Sequence, residues 1–199
     1  MKRIRIIVWA AVALLVAAVG VAFLLRPDLR NLTASMPLSE RIGGPFELTT
    51  HEGKRLSSAE LDGRPFAVFF GFTHCPDVCP TTLLELSSLI KRLGTDADRM
   101  RYLFSSVDPE RDTPEQLRVY MSNFDPRITG LTGTPTEIAS VAKAYGAIYQ
   151  KVPTKDGFTF NHTAHVYLMG KDGRLVSTLN DQEPEDVRLK KLRRLIGLS

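Results

Sequence analysis

Thiol, imidazole and indole side chains are all scarce in this chain of 199 residues, which has two cysteines, four histidines and one tryptophan. Two cysteines cannot complete a structural zinc site without two further ligands from elsewhere in the chain. The methionines are scattered and form no methionine-rich tract, which disfavours a metal relay through thioether ligands. No internal repeat or low-complexity tract follows the N-terminal segment, so the sequence indicates one domain and a tail.

An excess of charge is also missing from most of the chain. Residues 1–30 carry five basic residues and one acidic residue, which accounts for the whole net charge of +4. The other 21 basic and 21 acidic residues balance. A domain that binds a polyanion normally keeps a basic face, so no nucleic-acid partner is expected.

One long apolar run is present, at residues 6–25, where 20 consecutive residues carry no charge. Its length in a helix matches the hydrocarbon thickness of a bilayer, so residues 1–26 are predicted to form a single membrane-spanning anchor. Basic residues flank the run and place the N-terminus in the cytoplasm: Lys2, Arg3 and Arg5 before it, and Arg26 after it. The alternative is a cleaved signal peptide, with residues 20–22 as the cleavage region.

The rest of the chain is expected on the outer face of a bacterial inner membrane or in the periplasm. Residues 27–42 are polar and are predicted to be a linker, and residues 43–199 are predicted to be the folded domain. Disulfides persist in such a compartment, so a cysteine pair there is capable of redox chemistry.

Short apolar runs alternate with helical patterns in residues 43–199. Strands are predicted at 46–50, 66–71, 101–107, 147–151, 165–169 and 175–179. Helices are predicted at 80–93, 112–123, 134–145 and 184–196. This alternation favours an α/β fold with a central mixed sheet flanked by helices. A thiol pair that follows a buried strand and leads into a helix is typical of a thioredoxin-like fold.

Both cysteines lie in Cys75-Pro76-Asp77-Val78-Cys79-Pro80, directly after the apolar strand 66–71. Pro80 is expected at the first helical position, which makes Cys79 the predicted cap and places Cys75 in the preceding turn. Free N–H groups and the helix dipole favour a thiolate there. Three uses are open: a structural disulfide, a redox-active pair, or a soft-metal site such as one for Cu(I). A disulfide across so short a loop would add only about 2 kcal/mol, which disfavours a purely structural role.

A metal site here needs a nitrogen donor, and histidine is the natural source. His51 is expected in a solvated polar turn, and His74 adjoins Cys75 too closely for both to bind one ion comfortably, so a structural role is expected for it. His162 and His165 lie in the segment 160–165, at the start of the predicted hairpin of strands 165–169 and 175–179. Their odd separation puts them on opposite faces of an extended chain, so at most one of them faces the thiols. The residues alone do not choose between the two.

Three segments together form a distinctive pattern: Gly71-Phe72-Thr73-His74-Cys75-Pro76-Asp77-Val78-Cys79-Pro80, Ser106-Val107-Asp108-Pro109-Glu110-Arg111-Asp112-Thr113, and Asn161-His162-Thr163 ahead of Tyr167-Leu168. In these segments the chain resembles the Sco/SenC family of membrane-anchored, thioredoxin-fold proteins. Members of that family deliver copper during the assembly of cytochrome c oxidase. The resemblance extends over nearly the whole chain.

The resemblance implies that Cys75, Cys79 and His162 bind one copper ion, as Cu(I) or Cu(II). It implies a metallochaperone whose partners are the copper-receiving oxidase subunit with its binuclear centre, an upstream copper donor or thiol reductant, and the inner membrane. Relatives often have Asp where this chain has Asn161, and an apolar residue where it has His165, which leaves His165 as an alternative ligand. An alternative function is that of a thiol–disulfide oxidoreductase that keeps the target's cysteines reduced. Peroxide removal ranks low because no separate peroxidatic motif is present.

Two aspartates in the second segment have competing interpretations. The family resemblance suggests that Asp108 lies near the metal site, where it would tune the charge of the thiolates or contact a partner protein. The simpler interpretation is that Asp108 and Pro109 form a turn. Asp112 is predicted to cap the helix that follows.

Overall fold

The computed structural model describes residues 2–25, 42–61, 63–155 and 157–198. Helix α1 covers Lys2–Leu25 and forms a unit separate from the C-terminal domain. The side chains described in α1 are those of Arg5 and residues 9–21. Among the described residues, none of the helices combines the length and the apolar character needed to cross a bilayer, so the predicted membrane-spanning helix is not confirmed. The predicted linker 27–42 lies outside the described residues, except for Ile42.

The described part of the C-terminal domain contains nine strands and four α-helices. The strands are β1 Glu47–Thr50, β2 Arg55–Ser57, β3 Phe66–Gly71, β4 Arg101–Ser106, β5 Ile128–Thr132, β6 Tyr149–Thr154, β7 Gly157–His162, β8 Val166–Met169 and β9 Leu175–Leu179. The helices are α2 Val78–Leu93, α3 Pro114–Met121, α4 Pro135–Ala144 and α5 Glu185–Leu195, with 3₁₀ turns at Ser58–Leu61 and Gly94–Arg99.

Seven strands form one mixed sheet in the order β2-β1-β5-β4-β3-β8-β9. Strands β3, β4 and β5 are parallel, while β8 runs antiparallel to β3, with Phe69 opposite both Phe104 and Val166. Every residue of β3 is buried. Because successive side chains of a strand point to opposite faces, the sheet is covered on both faces at β3. The predicted α/β fold with a central mixed sheet and helices is confirmed.

Helix α2 follows β3 and packs through one apolar stripe. Its buried side chains recur at helical spacing: Leu83, Leu86, Leu89, Ile90 and Leu93. Each fully buried leucine contributes about 1.5–3 kcal/mol relative to an exposed one. Helix α5 lies against α2, and Arg188 Nη1 donates to Glu85 Oε2 at 2.6 Å across that contact. This packing fixes the axis of the helix whose first turn carries Cys79.

Three strands are absent from the sequence prediction: β2, β5 and β7. Strand β5 reads Ile-Thr-Gly-Leu-Thr, a pattern weakened by its central glycine. That glycine has a packing reason, since a Cβ on Gly130 would lie 2.9 Å from Met121 Cγ of α3. Tertiary packing therefore makes this segment a strand despite its weak local pattern.

Strands β6 and β7 form a separate two-stranded sheet. They are antiparallel, with Tyr149 opposite His162 at one end and Thr154 opposite Gly157 at the turn. The predicted strand 147–151 covers only the first part of β6, and no strand was predicted at 157–162. The hairpin matters for the site because His162 is the last residue of β7.

Candidate metal centre

The fold brings together three of the predicted site residues: Cys75, Cys79 and His162. Their donor atoms, two Sγ atoms and one imidazole nitrogen, all lie within 4.8 Å of one another. His162 Nε2 is 3.3 Å from Cys79 Sγ. Both cysteines are free thiols. Cys75 and Cys79 are four residues apart at one strand–helix junction, whereas His162 follows Cys79 by 83 residues and reaches them through the hairpin.

The cysteines sit at the junction of β3 and α2. Helix α2 begins at Val78 with Asp77 as its cap, so the prediction that Cys79 caps the helix and Pro80 opens it is wrong by two residues. Cys79 lies instead within the first turn, where backbone N–H groups have no partner inside the helix. Its own N–H donates to Cys75 Sγ at 3.5 Å. The helix N-terminus thus stabilises negative charge on Cys75, as expected for that position.

The two thiols titrate as a coupled pair. The hydrogen bond from the Cys79 thiol lowers the pKa of Cys75 well below its ordinary value, and hydrogen bonds from His162 and from the N–H groups of Asp77 and Cys79 lower it further, against the effect of burial. The same hydrogen bond raises the pKa of Cys79, and burial raises it again. The metal-free pair therefore holds one negative charge, on Cys75, with Cys79 as the thiol that donates to it.

The imidazole of His162 is held in one tautomer. Its Nδ1 lies 3.0 Å from the Thr163 carbonyl oxygen, which can only accept a hydrogen bond. Nδ1 therefore carries a proton, and Nε2 faces the sulfurs: when protonated it can donate to the Cys75 thiolate, and when the ring is neutral its lone pair can bind a metal. Edge-to-face contacts with Phe72 at 5.7 Å and Phe69 at 6.1 Å between ring centroids fix the ring plane.

Gly71, at the end of β3, leaves the space that Cys79 occupies. A Cβ at this position would lie 2.7 Å from Cys79 Sγ and 2.8 Å from Phe104 Cε2. Cys79 is fully buried, whereas Cys75 is partly exposed. Two thiolates and one imidazole suit a soft ion such as Cu(I) and also suit Cu(II). Three protein donors leave a position for ligand exchange, so the residues present fit a transferable copper ion.

The other three histidines lie outside this group of donors. His165 is exposed, and His74, also exposed, has its Nδ1 3.0 Å from Thr73 Oγ1. His51 was expected to be solvated, but it is half-buried and its Nδ1 accepts the Gly130 N–H at 2.9 Å. Of the two histidines that the sequence left open, His162 faces the thiols.

The aspartates of the second segment are both fully buried. Asp112 was predicted to cap helix α3, but its carboxylate accepts hydrogen bonds from Thr73 N and Oγ1 and from Ser106 Oγ, at 2.6–3.0 Å. The cap is Thr113, whose hydroxyl accepts from Gln116 N. Asp112 therefore anchors the loop that leads to Cys75. The Asp108 carboxylate instead accepts a hydrogen bond from Arg111 Nε.

Sequence reasoning missed the residues that support His162, among them Arg111, Phe72 and Phe160. A signal for the hairpin was present, because Lys155-Asp156-Gly157 is a turn triplet of the same kind as Lys171-Asp172-Gly173, which predicted the hairpin of β8 and β9. The alternation of Phe158, Phe160 and His162 was a second signal, since it places all three on one face of a strand.

The fold and the site define a class: α/β proteins of thioredoxin-like architecture with two thiols and an imidazole able to hold a metal ion. A family model described as SCO1/SenC matches residues 34–197. The chain belongs to the SCO1/SenC family, which confirms the resemblance seen in its sequence.

Individual relatives agree with this assignment. The human protein described as "Protein SCO1 homolog, mitochondrial" is 40% identical over 139 residues, which cover 68% of this chain and 46% of that protein. The chain thus spans about half the length of this curated relative. The structure of Bradyrhizobium japonicum ScoI with copper bound is 50% identical, with a TM-score of 0.73, over 77% of this chain and 99% of that one. A third relative is BsSco, a member of the Sco family of cytochrome c oxidase assembly proteins, and a disulfide switch was identified in BsSco. Its structure is 29% identical to this chain, with a TM-score of 0.66, and the match covers 83% of this chain and 98% of BsSco.

Proposed function

We propose that the protein is a copper metallochaperone that binds one copper ion through Cys75, Cys79 and His162. It delivers this ion to the binuclear centre in the copper-receiving subunit of cytochrome c oxidase during assembly. The observation that carries the proposal is the convergence of two sulfurs and one imidazole nitrogen within 4.8 Å, with Nε2 of His162 facing the sulfurs. Copper bound to the related ScoI, and the role in oxidase assembly stated for BsSco, support the choice of ion and of target.

The alternative function is that of a thiol–disulfide oxidoreductase acting on the cysteines of the same target. The lowered pKa of Cys75, which comes first from the Cys79 hydrogen bond, gives a partly exposed thiolate, the form that attacks disulfides. A disulfide switch in BsSco points the same way. An oxidised pair has no thiolate for copper, so the two activities would exclude each other at any moment. The chaperone activity requires an upstream copper donor, and the oxidoreductase activity requires an upstream thiol reductant.

The proposed location is the outer face of a bacterial inner membrane, with residues 1–26 as the anchor. The uncharged run at residues 6–25 and the basic residues before it support this proposal. Lys2–Leu25 of this segment form helix α1. In that location Cys75 and Cys79 face the compartment in which an oxidase copper site is assembled.

The decisive experiment is a copper titration of the reduced full-length protein, in competition with a chelator of known affinity. His162→Ala is expected to lower the copper affinity at least about 100-fold, because loss of a ligand's supporting partner alone costs 10–100-fold. His165→Ala is the matched control, since this exposed histidine lies three residues away and outside the group of donors. Its copper affinity is expected to equal that of the wild type.

Two results would contradict the ligand set. Unchanged affinity in His162→Ala, with dithiol exchange retained, would favour the oxidoreductase. Loss of affinity in His165→Ala alone would move the nitrogen ligand to that residue.

A further inference from the structure

The hairpin β6–β7 carries His162 but gains little support from strand pairing. Its two strands pair with each other and, within the described residues, with no other strand. A single two-stranded hairpin is marginally stable in water, so the position of this one depends on its packing against the domain. Whatever fixes the hairpin therefore also fixes the nitrogen donor of the proposed copper site.

One face of β7 makes that packing. Phe158, Phe160 and His162 alternate along the strand and lie side by side on this face. Nearest the site, His162 and Phe160 both lie edge-to-face against Phe72, at 5.7 and 5.4 Å between ring centroids. Phe160 in turn contacts Phe158 at 5.7 Å. Displacement of Phe158 would thus be transmitted along the face toward His162.

Arg111 holds the far end of this row. Its Nη1 donates to the Phe158 carbonyl oxygen at 3.1 Å, and its guanidinium carbon lies 3.9 Å from the centre of the Phe158 ring. Its Nε donates to the carboxylate of Asp108, which is fully buried in the loop after β4. One side chain thus joins the loop 108–112 to the hairpin by a charged hydrogen bond at one end and by a backbone hydrogen bond and a cation–π contact at the other.

A second link between the same segments is weaker. Lys151 of β6 pairs with Glu110 at 2.7 Å, but these side chains are 43% and 61% exposed, against 25% for Arg111 and 1% for Asp108. Exposed ion pairs contribute little to stability, whereas hydrogen bonds to charged groups that are shielded from water contribute more. Arg111 is therefore the principal polar link.

We propose that Arg111 is a positioning residue for the metal site: it fastens the hairpin to the loop 108–112 and so holds His162 against the two thiols. Its effect on copper rests on the proposed function, whereas its effect on the hairpin does not. In this arrangement Asp108 is the buried residue that holds Arg111 in place. The Asp108 carboxylate thus has a role in addition to turning the chain.

The test compares Arg111→Gln with Arg127→Gln in the reduced full-length protein. Arg127 is a matched control because it too binds a carboxylate, that of Asp125 at 2.9 Å, and a backbone carbonyl, that of Gly94 at 3.1 Å, at 34% exposure. These partners are remote from the hairpin in sequence and topology. Phe158→Leu serves as a second variant, because it removes the ring beneath the guanidinium and leaves Arg111 paired with Asp108.

The first readout needs no metal. Amide hydrogen exchange in β6 and β7 is expected to become about 10-fold faster or more in Arg111→Gln, which loses the hydrogen bonds of a charged group. A smaller acceleration is expected in Phe158→Leu, which loses only the cation–π contacts of its ring with Arg111 and Lys151. Arg127→Gln is expected to leave exchange in the hairpin unchanged. Equal hairpin protection in all three variants and the wild type would overturn the proposal, whatever the copper titration shows.

The second readout is a double-mutant cycle with His162→Ala, measured as copper affinity. Arg111→Gln is expected to lower the affinity about 10–100-fold in the wild-type background and to have no further effect when His162 is absent. An equal loss in both backgrounds would show that Arg111 acts on the thiols, and would overturn the proposed route through His162. If His162→Ala itself left the affinity unchanged, the ligand set of the proposed function would fail, while hydrogen exchange would still decide the role of Arg111.

Discussion

At the scale of single residues, the site separates its two sulfurs by environment. Cys75 is partly exposed and receives hydrogen bonds from the Cys79 thiol, His162 and two backbone N–H groups, whereas Cys79 is fully buried against Gly71. Under the proposed function, Cys75 is the charged ligand or nucleophile, and Cys79 keeps its proton until a metal displaces it. Of the two sulfurs, only that of Cys75 lies on a partly exposed residue, so the proposed function assigns the contact with a partner to Cys75.

Cys75 is accordingly expected to react with iodoacetamide at nearly the same rate between pH 5 and pH 8. Its pKa is lowered to about 3, first by the Cys79 hydrogen bond, so the thiolate is already formed at pH 5 and its population hardly rises with pH. An ordinary thiol, with a pKa of about 8.5, would react about 1,000-fold faster at pH 8 than at pH 5. Mass spectrometry of the alkylated peptides from the reduced, metal-free protein measures each cysteine separately. A rate for Cys75 that climbs tenfold per pH unit would contradict the assignment.

His162→Ala provides the internal comparison for this experiment. The hydrogen bond from His162 is one of the causes of the lowered pKa, so its removal raises the pKa of Cys75. We therefore expect Cys75 to be alkylated more slowly in His162→Ala than in the wild type near pH 5, and at nearly the same rate at pH 8. Cys79 is expected to stay unreactive in both proteins because it is buried and its pKa is raised.

At the scale of elements, the packing at the junction of β3 and α2 depends on Gly71, which has no side chain. Gly71→Ala is expected to destabilise the protein by about 1–3 kcal/mol, because a Cβ 2.7 Å from Cys79 Sγ forces the sulfur or the strand to move. Gly44→Ala is the control, since its Cβ would meet only Ala144 Cβ, at 3.3 Å. Denaturant unfolding measures both, and copper affinity is expected to fall in Gly71→Ala alone. Equal stability of the two variants would show that the site does not need the glycine.

The elements that the sequence predicted are those with strong local signals. The continuous apolar run of β3 and the leucine spacing of α2 are local patterns, so the β3–α2 junction and both cysteines could be placed from sequence. Strand β7 was missed although its turn triplet and its alternating pattern are local signals, whereas its pairing with β6 and the packing of Phe160 on Phe72 exist only in the folded chain. The choice of His162 over His165 depended on a resemblance, since spacing treats them alike. Arg111 escaped notice because its partner Phe158 lies 47 residues away.

At the scale of the whole molecule, function depends on where the thiols reside. The net positive charge of the chain lies before and just after the apolar run, and the domain that carries the site has no net charge. In the proposed location, a neutral domain tethered by residues 1–26 would encounter its target by confinement to the same membrane, without a strong electrostatic attraction. The proposed anchor would then be as important to the proposed copper delivery as the ligands themselves.

The proposed anchor predicts that the full-length protein stays with the membrane fraction through alkaline carbonate extraction. A variant lacking residues 2–25 is expected to be released, because about 20 apolar residues supply the insertion free energy. Detection of a peptide from residues 2–25 in the mature, membrane-bound protein distinguishes an anchor from a cleaved signal peptide.

The side of the membrane on which the thiols lie is tested by labelling. Since Cys75 is partly exposed and Cys79 is buried, a membrane-impermeant maleimide added to intact spheroplasts should label the reduced protein at Cys75, and Cys75→Ser should abolish the label. Labelling that required lysis would place the thiols on the cytoplasmic side, where the proposed delivery to an oxidase copper centre could not occur.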